Sequence, residues 1–407
     1  MDIEFVRKQF PALQKDFTFM DNAGGSQVLG NVIDRISAYM VHYNVQLGAS
    51  YKVSAEAGEK ISYATSRISE LINARRSKEV VIGSSTTMLL RILSLSISSE
   101  WKEGDEVIVT NTDHEANVSP WMDLQKKGIK VRIWKVNPDS LELEIDELKK
   151  LLNSNTRLVA VTHTSNVLGT INPLKEIAKV VHEAGALICA DGVAYAPHRQ
   201  VDVQDLDVDF YTFSWYKTYG PHLAVMYGKY HHLLKLDSLN HYFIGKEEIP
   251  YKLQPGNLNF ELTYSILGIL EYYEDFYRQH FRKKEGNLKD RLEKVFEVIA
   301  EHEENLAAIL LNYLNEHPDI RIIGSETNAS DNRVPTISFV HSEMKSDQIV
   351  GRVDQHRIGI RFGDFYAKKL IQDLGLEEKN GVVRVSLVHY NTQEEVKKLV
   401  EVFKTIF

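Results

Sequence analysis

The sequence predicts an α/β protein in which a large domain, with a mainly parallel sheet flanked by helices, is joined to a smaller α+β domain toward the C-terminus. From residue 106 to 191, apolar runs of strand length alternate with amphipathic runs of helix length, the pattern of right-handed parallel crossovers. Polar residues cluster where these strands end, and in open α/β sheets that is where ligands bind. Past Tyr227 the chain changes to long helical periodicities and then to short strands mixed with helices, which marks a second domain.

Residues 6–16 read as a short arm, followed by the turn Asp21-Asn22-Ala23-Gly24-Gly25-Ser26, whose glycines let backbone approach a ligand closely. Helical spacing over 32–43 and 55–73 predicts two amphipathic helices around a polar loop. Val80-Val81-Ile82-Gly83 is a short strand. Ser84-Ser85-Thr86-Thr87 then introduces a helix over 88–98, and the free amides and dipole at such a start favour an anion. Strands are expected at 107–109, 131–136, 158–162, 187–191 and 208–214, with helices at 118–127, 145–152 and 174–184. Long helices are expected at 262–278 and 287–317. In the second domain, strands at 336–340, 358–362 and 382–386 accompany helices at 346–355 and 392–407.

With 407 residues, 43% of them hydrophobic, the chain buries a large core and has room for two or three domains. A net charge of −8 without a basic stripe disfavours nucleic acid and favours a small-molecule partner. The first residues mix Asp2, Glu4, Arg7 and Lys8 with apolar ones, and no later run reaches membrane length, so a cytoplasmic protein without membrane association is expected. The single cysteine, Cys189, excludes an internal disulfide and a cysteine-rich zinc site; among Leu187, Ile188 and Ala190 it reads as a buried small hydrophobe. There is no Walker loop, dinucleotide fingerprint or HExxH helix. The His231-His232 pair reads as surface, and no metal is expected.

The chemistry centres on Phe213-Ser214-Trp215-Tyr216-Lys217-Thr218-Tyr219-Gly220-Pro221. A lysine at the end of an apolar strand is desolvated, which lowers its pKa and frees its amine to form a Schiff base. Upstream, the apolar run 187–190 ends in Asp191. Pyridoxal phosphate requires this pair: an amine to hold its aldehyde and a carboxylate to keep its ring nitrogen protonated. Thr112-Asp113-His114 and His163-Thr164-Ser165-Asn166 fall at the ends of neighbouring strands, so one crevice gathers all of them. His114 there suits stacking on a planar ring. Arg384, within the apolar run 382–386, needs a partner, either a structural carboxylate of the chain or that of a substrate.

Asp113-His114-Glu115-Ala116-Asn117, residues 162–170, Asp191-Gly192, residues 214–221 and residues 383–392 occur in an order that resembles cysteine desulfurases and selenocysteine lyases. Tyr195-Ala196-Pro197-His198 and Gly363-Asp364-Phe365-Tyr366-Ala367 resemble, more narrowly, the cysteine desulfurase-like branch of the class V aminotransferase family. The resemblance spans nearly the whole chain. It implies pyridoxal 5′-phosphate fold type I, with a large domain over 17–280, a small domain from 1–16 and 281–407, and a homodimer whose active sites lie at the interface. It implies Lys217 as the Schiff-base lysine, Asp191 on the ring nitrogen, His114 stacked on the ring and Asn166 near the phenolic oxygen. Thr86, Thr87 and Ser214 fall where the family binds phosphate, and Gly256 and Asn257 where the partner subunit reaches the same phosphate. Arg384 falls where the substrate carboxylate docks, with Asn22 also on the substrate side.

The chain departs from the desulfurase pattern in places. Asn257 replaces the usual threonine, Tyr216 stands where a histidine is common, and Ala194 where a glutamine bonds the phenolic oxygen. In the loop after Arg361, where desulfurases carry their nucleophilic cysteine, this chain has Phe362-Gly363-Asp364-Phe365-Tyr366. The expectation is a lyase that cleaves a carbon–sulfur bond by α-proton removal and β-elimination without a protein persulfide. The alternatives are a class V transaminase, a desulfurase using an external sulfur acceptor, and a non-catalytic binding protein.

Overall fold

The structure, a computed structural model, describes residues 1–281 and 285–407. After the N-terminal strand β1 (Thr18–Phe19), the chain lays down β2 (Val80–Gly83), β3 (Glu106–Thr110), β4 (Lys130–Trp134), β5 (Thr156–Thr162), β6 (Leu187–Asp191), β7 (Phe210–Ser214) and β8 (Ala224–Gly228). β2 to β8 form one sheet in the order β2-β8-β7-β6-β5-β3-β4, in which β8 alone runs against the others. β3, β7 and β8 are buried along their whole length, as strands covered by helices on both faces must be. β4, at the edge, leaves Lys130 and Arg132 accessible.

The second sheet has the order β12-β13-β10-β9, from β9 (Ile320–Ile322), β10 (Thr336–His341), β12 (Arg361–Gly363) and β13 (Val382–Ser386). Its own core forms against the helix Gln393–Ile406 and the second half of the helix Leu288–Glu316. That 29-residue helix starts at a capping box between Asn287 and Asp290. Its Leu292, Val295, Phe296 and Ile299 pack into the large core, while Leu306, Leu310 and Leu314 pack into the small one, so one rigid rod serves both. The expected boundary at 280/281 adjoins residues 282–284, which lie outside the described residues.

Three sequence expectations are corrected. The helix expected over 118–127 is a short helix Ser119–Met122 between 3-10 turns, because Pro120 sits at its start and left-handed Gly128 closes the segment. The helix expected over 262–278 is two helices, Phe260–Ser265 and Leu267–His280; the Thr263 and Ser265 hydroxyls donate to the carbonyls of Asn259 and Leu262, competing with the helical ladder. The strand expected over 358–362 divides: β11 (Ile358–Gly359) pairs with β1, and β12 pairs with β13. β1 and β11 form a separate two-stranded parallel sheet.

Candidate active site

The site forms where β3, β5, β6 and β7 end side by side. His114 follows β3, Asn166 follows β5, Asp191 closes β6, and Lys217 ends the 3-10 turn Trp215–Lys217 that follows β7. The turn exists because β7 must reverse into antiparallel β8, and Gly220 leaves no Cβ to collide with Ile269 and Trp215. A cavity of about 70 Å³ lies between these ends, with Thr86, Thr87 and Ser214 along its wall. Thr86 opens the helix Thr86–Ile97, whose N-cap Ser85 accepts from the Met88 amide; the Thr86 hydroxyl bonds Ser214 Oγ at 2.8 Å. The helix start thus offers amides and two hydroxyls to an anion.

An adjoining cavity of about 100 Å³ shares His114, Asn166, Tyr216 and Lys217, and adds Arg361, Phe365, Tyr366 and Arg384 from the small domain. One lysine therefore faces a compartment made by strand ends of the large sheet and a compartment walled by both domains. Ala23 and Gly24, from the N-terminal turn, complete the second one. That turn is fixed against the lysine loop: the Ser26 amide donates to the Tyr216 carbonyl at 3.1 Å and the Tyr219 amide to Ser26 Oγ at 2.9 Å.

Electrostatics separate the roles these groups can take. Lys217 is 7% exposed; burial and the nearby Arg384 guanidinium lower its pKa, against the opposing pull of Asp191. Burial raises Asp191, while the Val193 amide, donating to Asp191 Oδ1 at 2.9 Å, and Lys217 favour its carboxylate. Burial, Lys217 and Arg384 press His114 down to about 4, so its ring is neutral. The Ala116 amide donates to His114 Nδ1 at 3.0 Å, which puts the ring proton on Nε2. Below it, Asp113 is raised to about 8 by burial and accepts from the Thr110 hydroxyl, the Asn117 amide and the Thr162 backbone. His163, under the site, is stacked on Tyr195 at 3.5 Å, bonded to the Tyr211 hydroxyl at 2.8 Å, and held down to about 3 by burial.

Of the sequence-predicted residues, Lys217, Asp191, His114, Thr86, Thr87, Asn166, Ser214 and Tyr216 line the first cavity and Arg384 the second. Gly256 and Asn257 line neither; they lie on an exposed loop beyond Gln254, which donates to the Ile82 carbonyl at 3.3 Å. Asn22 is corrected. Its amide nitrogen is spent on the carbonyls of Phe19 and Ser386 and on Asn391 Oδ1, and its oxygen accepts from the Tyr390 hydroxyl, so it ties the N-terminal turn to the small domain. Its neighbour Asp21 pairs with the arginines of the second cavity, with one oxygen 2.8 Å from Arg384 and the other 3.6 Å from Arg361. The signal for Asp21 was Arg384 itself, a buried cation that requires a carboxylate within reach.

Away from the site, His317, Asp319 and His341 bring ligand atoms within 4.8 Å of one another. His341 Nδ1 accepts from the Glu343 and Met344 amides, which leaves the ring proton on Nε2 and no lone pair there for a cation.

Comparison with known proteins gives a consistent result. The family model for aminotransferase class-V matches residues 18–298 and 292–399. An aminotransferase-like protein of Gibberella zeae is 43% identical over 98% of this chain and 96% of its own length. A cysteine desulfurase-like protein of Aspergillus flavus is 36% identical over 98% of this chain and 89% of its own. The crystal structure of the cysteine desulfurase CsdA from Escherichia coli superposes with a TM-score of 0.84 at 25% identity, covering 100% of this chain and 98% of that one.

Proposed function

Because the chain belongs to the cysteine desulfurase-like, class V aminotransferase family of pyridoxal 5′-phosphate enzymes, we propose that it cleaves a carbon–sulfur bond of an amino acid by β-elimination, without a protein persulfide. The cavities suit the cofactor. Thr164 Oγ1 and Asn166 Oδ1 line the first cavity as buried polar atoms without a partner, beside a lysine and a carboxylate at the spacing of two strand ends. In this reading Lys217 would hold the cofactor, Asp191 would pair with its ring nitrogen, His114 would stack on the ring, and Thr86, Thr87 and Ser214 with the helix start would hold its phosphate. Bound there, pyridoxal phosphate supplies an electron sink for charge left at the substrate α-carbon.

The chain's own groups do the rest. Arg384 takes the α-carboxylate and orients the α-C–H bond. Once the substrate amine has displaced it from the cofactor, Lys217 Nζ, its ammonium disfavoured by burial and by Arg384, would be the base for the α-proton. Neutral His114 adds no charge to the ring face it covers. The β-substituent leaves with its electron pair, and the released enamine hydrolyses to pyruvate and ammonia.

The observation that supports omitting a persulfide is the pair Tyr366 and Cys189. Tyr366 stands on the loop where desulfurases carry their thiol. The only cysteine is fully buried in β6, and burial and nearby carboxylates raise its pKa well above the usual value. Cys189→Ser in a folded, cofactor-loaded enzyme is expected to keep turnover. Loss of turnover would return the reading to a desulfurase. Failure of thiol, thioether and sulfoxide amino acids to yield pyruvate, with glutamate-dependent turnover of a keto acid, would instead identify a transaminase.

We also propose a homodimer, in which the exposed loop carrying Gly256 and Asn257 reaches the partner's phosphate site. Exposed Met40, Val41, Tyr51 and Tyr63 on or beside the helices Gly30–His42 and Lys52–Leu71 give an apolar face that a second subunit would cover.

A further inference from the structure

The loop 361–367 is fastened by hydrogen bonds at Phe365 and Tyr366. The Asn166 side-chain amide donates to the Phe365 carbonyl at 2.9 Å, the Glu115 amide donates to the Tyr366 carbonyl at 2.7 Å, and the Tyr366 amide donates to Asp364 Oδ1 at 2.9 Å. Phe365 and Tyr366 both have left-handed backbones, at φ 52° and 60°, a conformation that side chains other than glycine hold only when their surroundings impose it. What the strain delivers is the Phe365 ring, 9% exposed, laid over the Arg384 guanidinium with Cζ 3.7 Å from the ring centroid.

Arg384 is 2% exposed. One Nη donates to Asp21 Oδ1 at 2.8 Å, the other to the Asn166 carbonyl at 3.1 Å, and Nε is buried without a partner. Arg384, Asn166 and Phe365 thus close a ring of contacts: guanidinium to carbonyl, amide to carbonyl, aromatic face to guanidinium. With its plane fixed by the phenyl face and each Nη held by one acceptor, the Nε–H and the second N–H of each Nη are the donors left over. Arg384 and Arg361 carry two positive charges against the single carboxylate of Asp21, so one charge remains for a ligand carboxylate.

Resting on the reading of Arg384 as the carboxylate anchor, we propose that Phe365 is the positioning residue for that anchor: the loop that lacks a thiol is a fixed wall whose phenyl face presets the guanidinium. Removing the ring while keeping apolar bulk frees the guanidinium to rotate, and a ligand carboxylate must then pay for its ordering.

The test titrates the cofactor-loaded enzyme with L-alanine and with L-alaninamide, following the absorbance of the bound cofactor. Phe365→Leu is expected to weaken L-alanine by about tenfold, the loss of one desolvated cation–π contact, and to leave L-alaninamide within about twofold. Phe365→Tyr, which keeps the ring, is expected to match the parent, and KM for turned-over amino acids should rise in Phe365→Leu more than kcat falls. If Phe365→Leu does not load cofactor, Phe365→Met is read in its place. Equal weakening of both ligands, or no weakening of either, overturns the proposal. Arg384→Leu separates the two layers: if it leaves L-alanine binding intact, the anchor reading fails whatever Phe365 does.

Discussion

Gly192, the residue after Asp191, has no room for a side chain, and Gly192→Ala measures how tightly the floor of the site is built. A Cβ there would lie 2.1 Å from Tyr211 Cζ and 2.2 Å from its Cε1 and Oη, so the ring must move by more than an ångström. Tyr211 is 1% exposed and its hydroxyl bonds His163 Nδ1 at 2.8 Å, with His163 stacked on Tyr195. Overpacking costs about 1–3 kcal/mol, and a buried hydroxyl left without its partner about 1–3 more, so a loss of roughly 4 kcal/mol is expected. Asp191 is covalently adjacent, so cofactor retention should fall as well. The assay is urea unfolding of the loaded enzyme together with cofactor absorbance after gel filtration. In a Tyr211→Val background the Gly192→Ala penalty should shrink by at least about 1 kcal/mol, because the atoms it strikes are gone. A Gly192→Ala enzyme as stable as its parent would refute this account of the floor.

Borohydride reduction of the loaded enzyme is expected to fix cofactor mass on the peptide containing Lys217, and label on another lysine would remove that assignment. Asp191→Asn is expected to keep some cofactor and lose most turnover, since an amide does not hold the ring nitrogen protonated; unchanged turnover would count against it. Light scattering of the loaded enzyme is expected to give twice the mass of one chain, and a monomer mass with cofactor bound would exclude the proposed interface. His163, held at about 3 in the fold against 6.5 when free, binds a proton more readily in the unfolded chain, so its contribution makes stability fall as pH drops below about 6.5. At pH 5 that amounts to about 2 kcal/mol relative to pH 8, so urea midpoints of His163→Gln should depend less on pH between 8 and 5 than those of the parent. An equal pH dependence would show that His163 is not its source.

Much of the cofactor compartment was legible from order along the chain, because parallel strands all end at one side of a sheet. Lys217, Asp191, His114 and Asn166 each follow an apolar run, and the sheet order brings β3, β5, β6 and β7 next to one another. Residues at the second compartment were harder to read. Asp21 lies hundreds of residues from both Arg361 and Arg384, and whether position 21 or 22 meets these arginines depends on a turn held by Asn391 and Tyr390 from the far end of the chain. The division of residues 358–363 between two sheets has the same cause, since a strand's partners come from elsewhere. Sequence by itself determined which polar side chains stand at the strand ends, because residue type and strand-end position are local properties. Only the tertiary structure decided that Phe365 covers Arg384, that Asn22 is a strut and that Asp21 is the counter-ion, because these depend on where two separately packed cores meet.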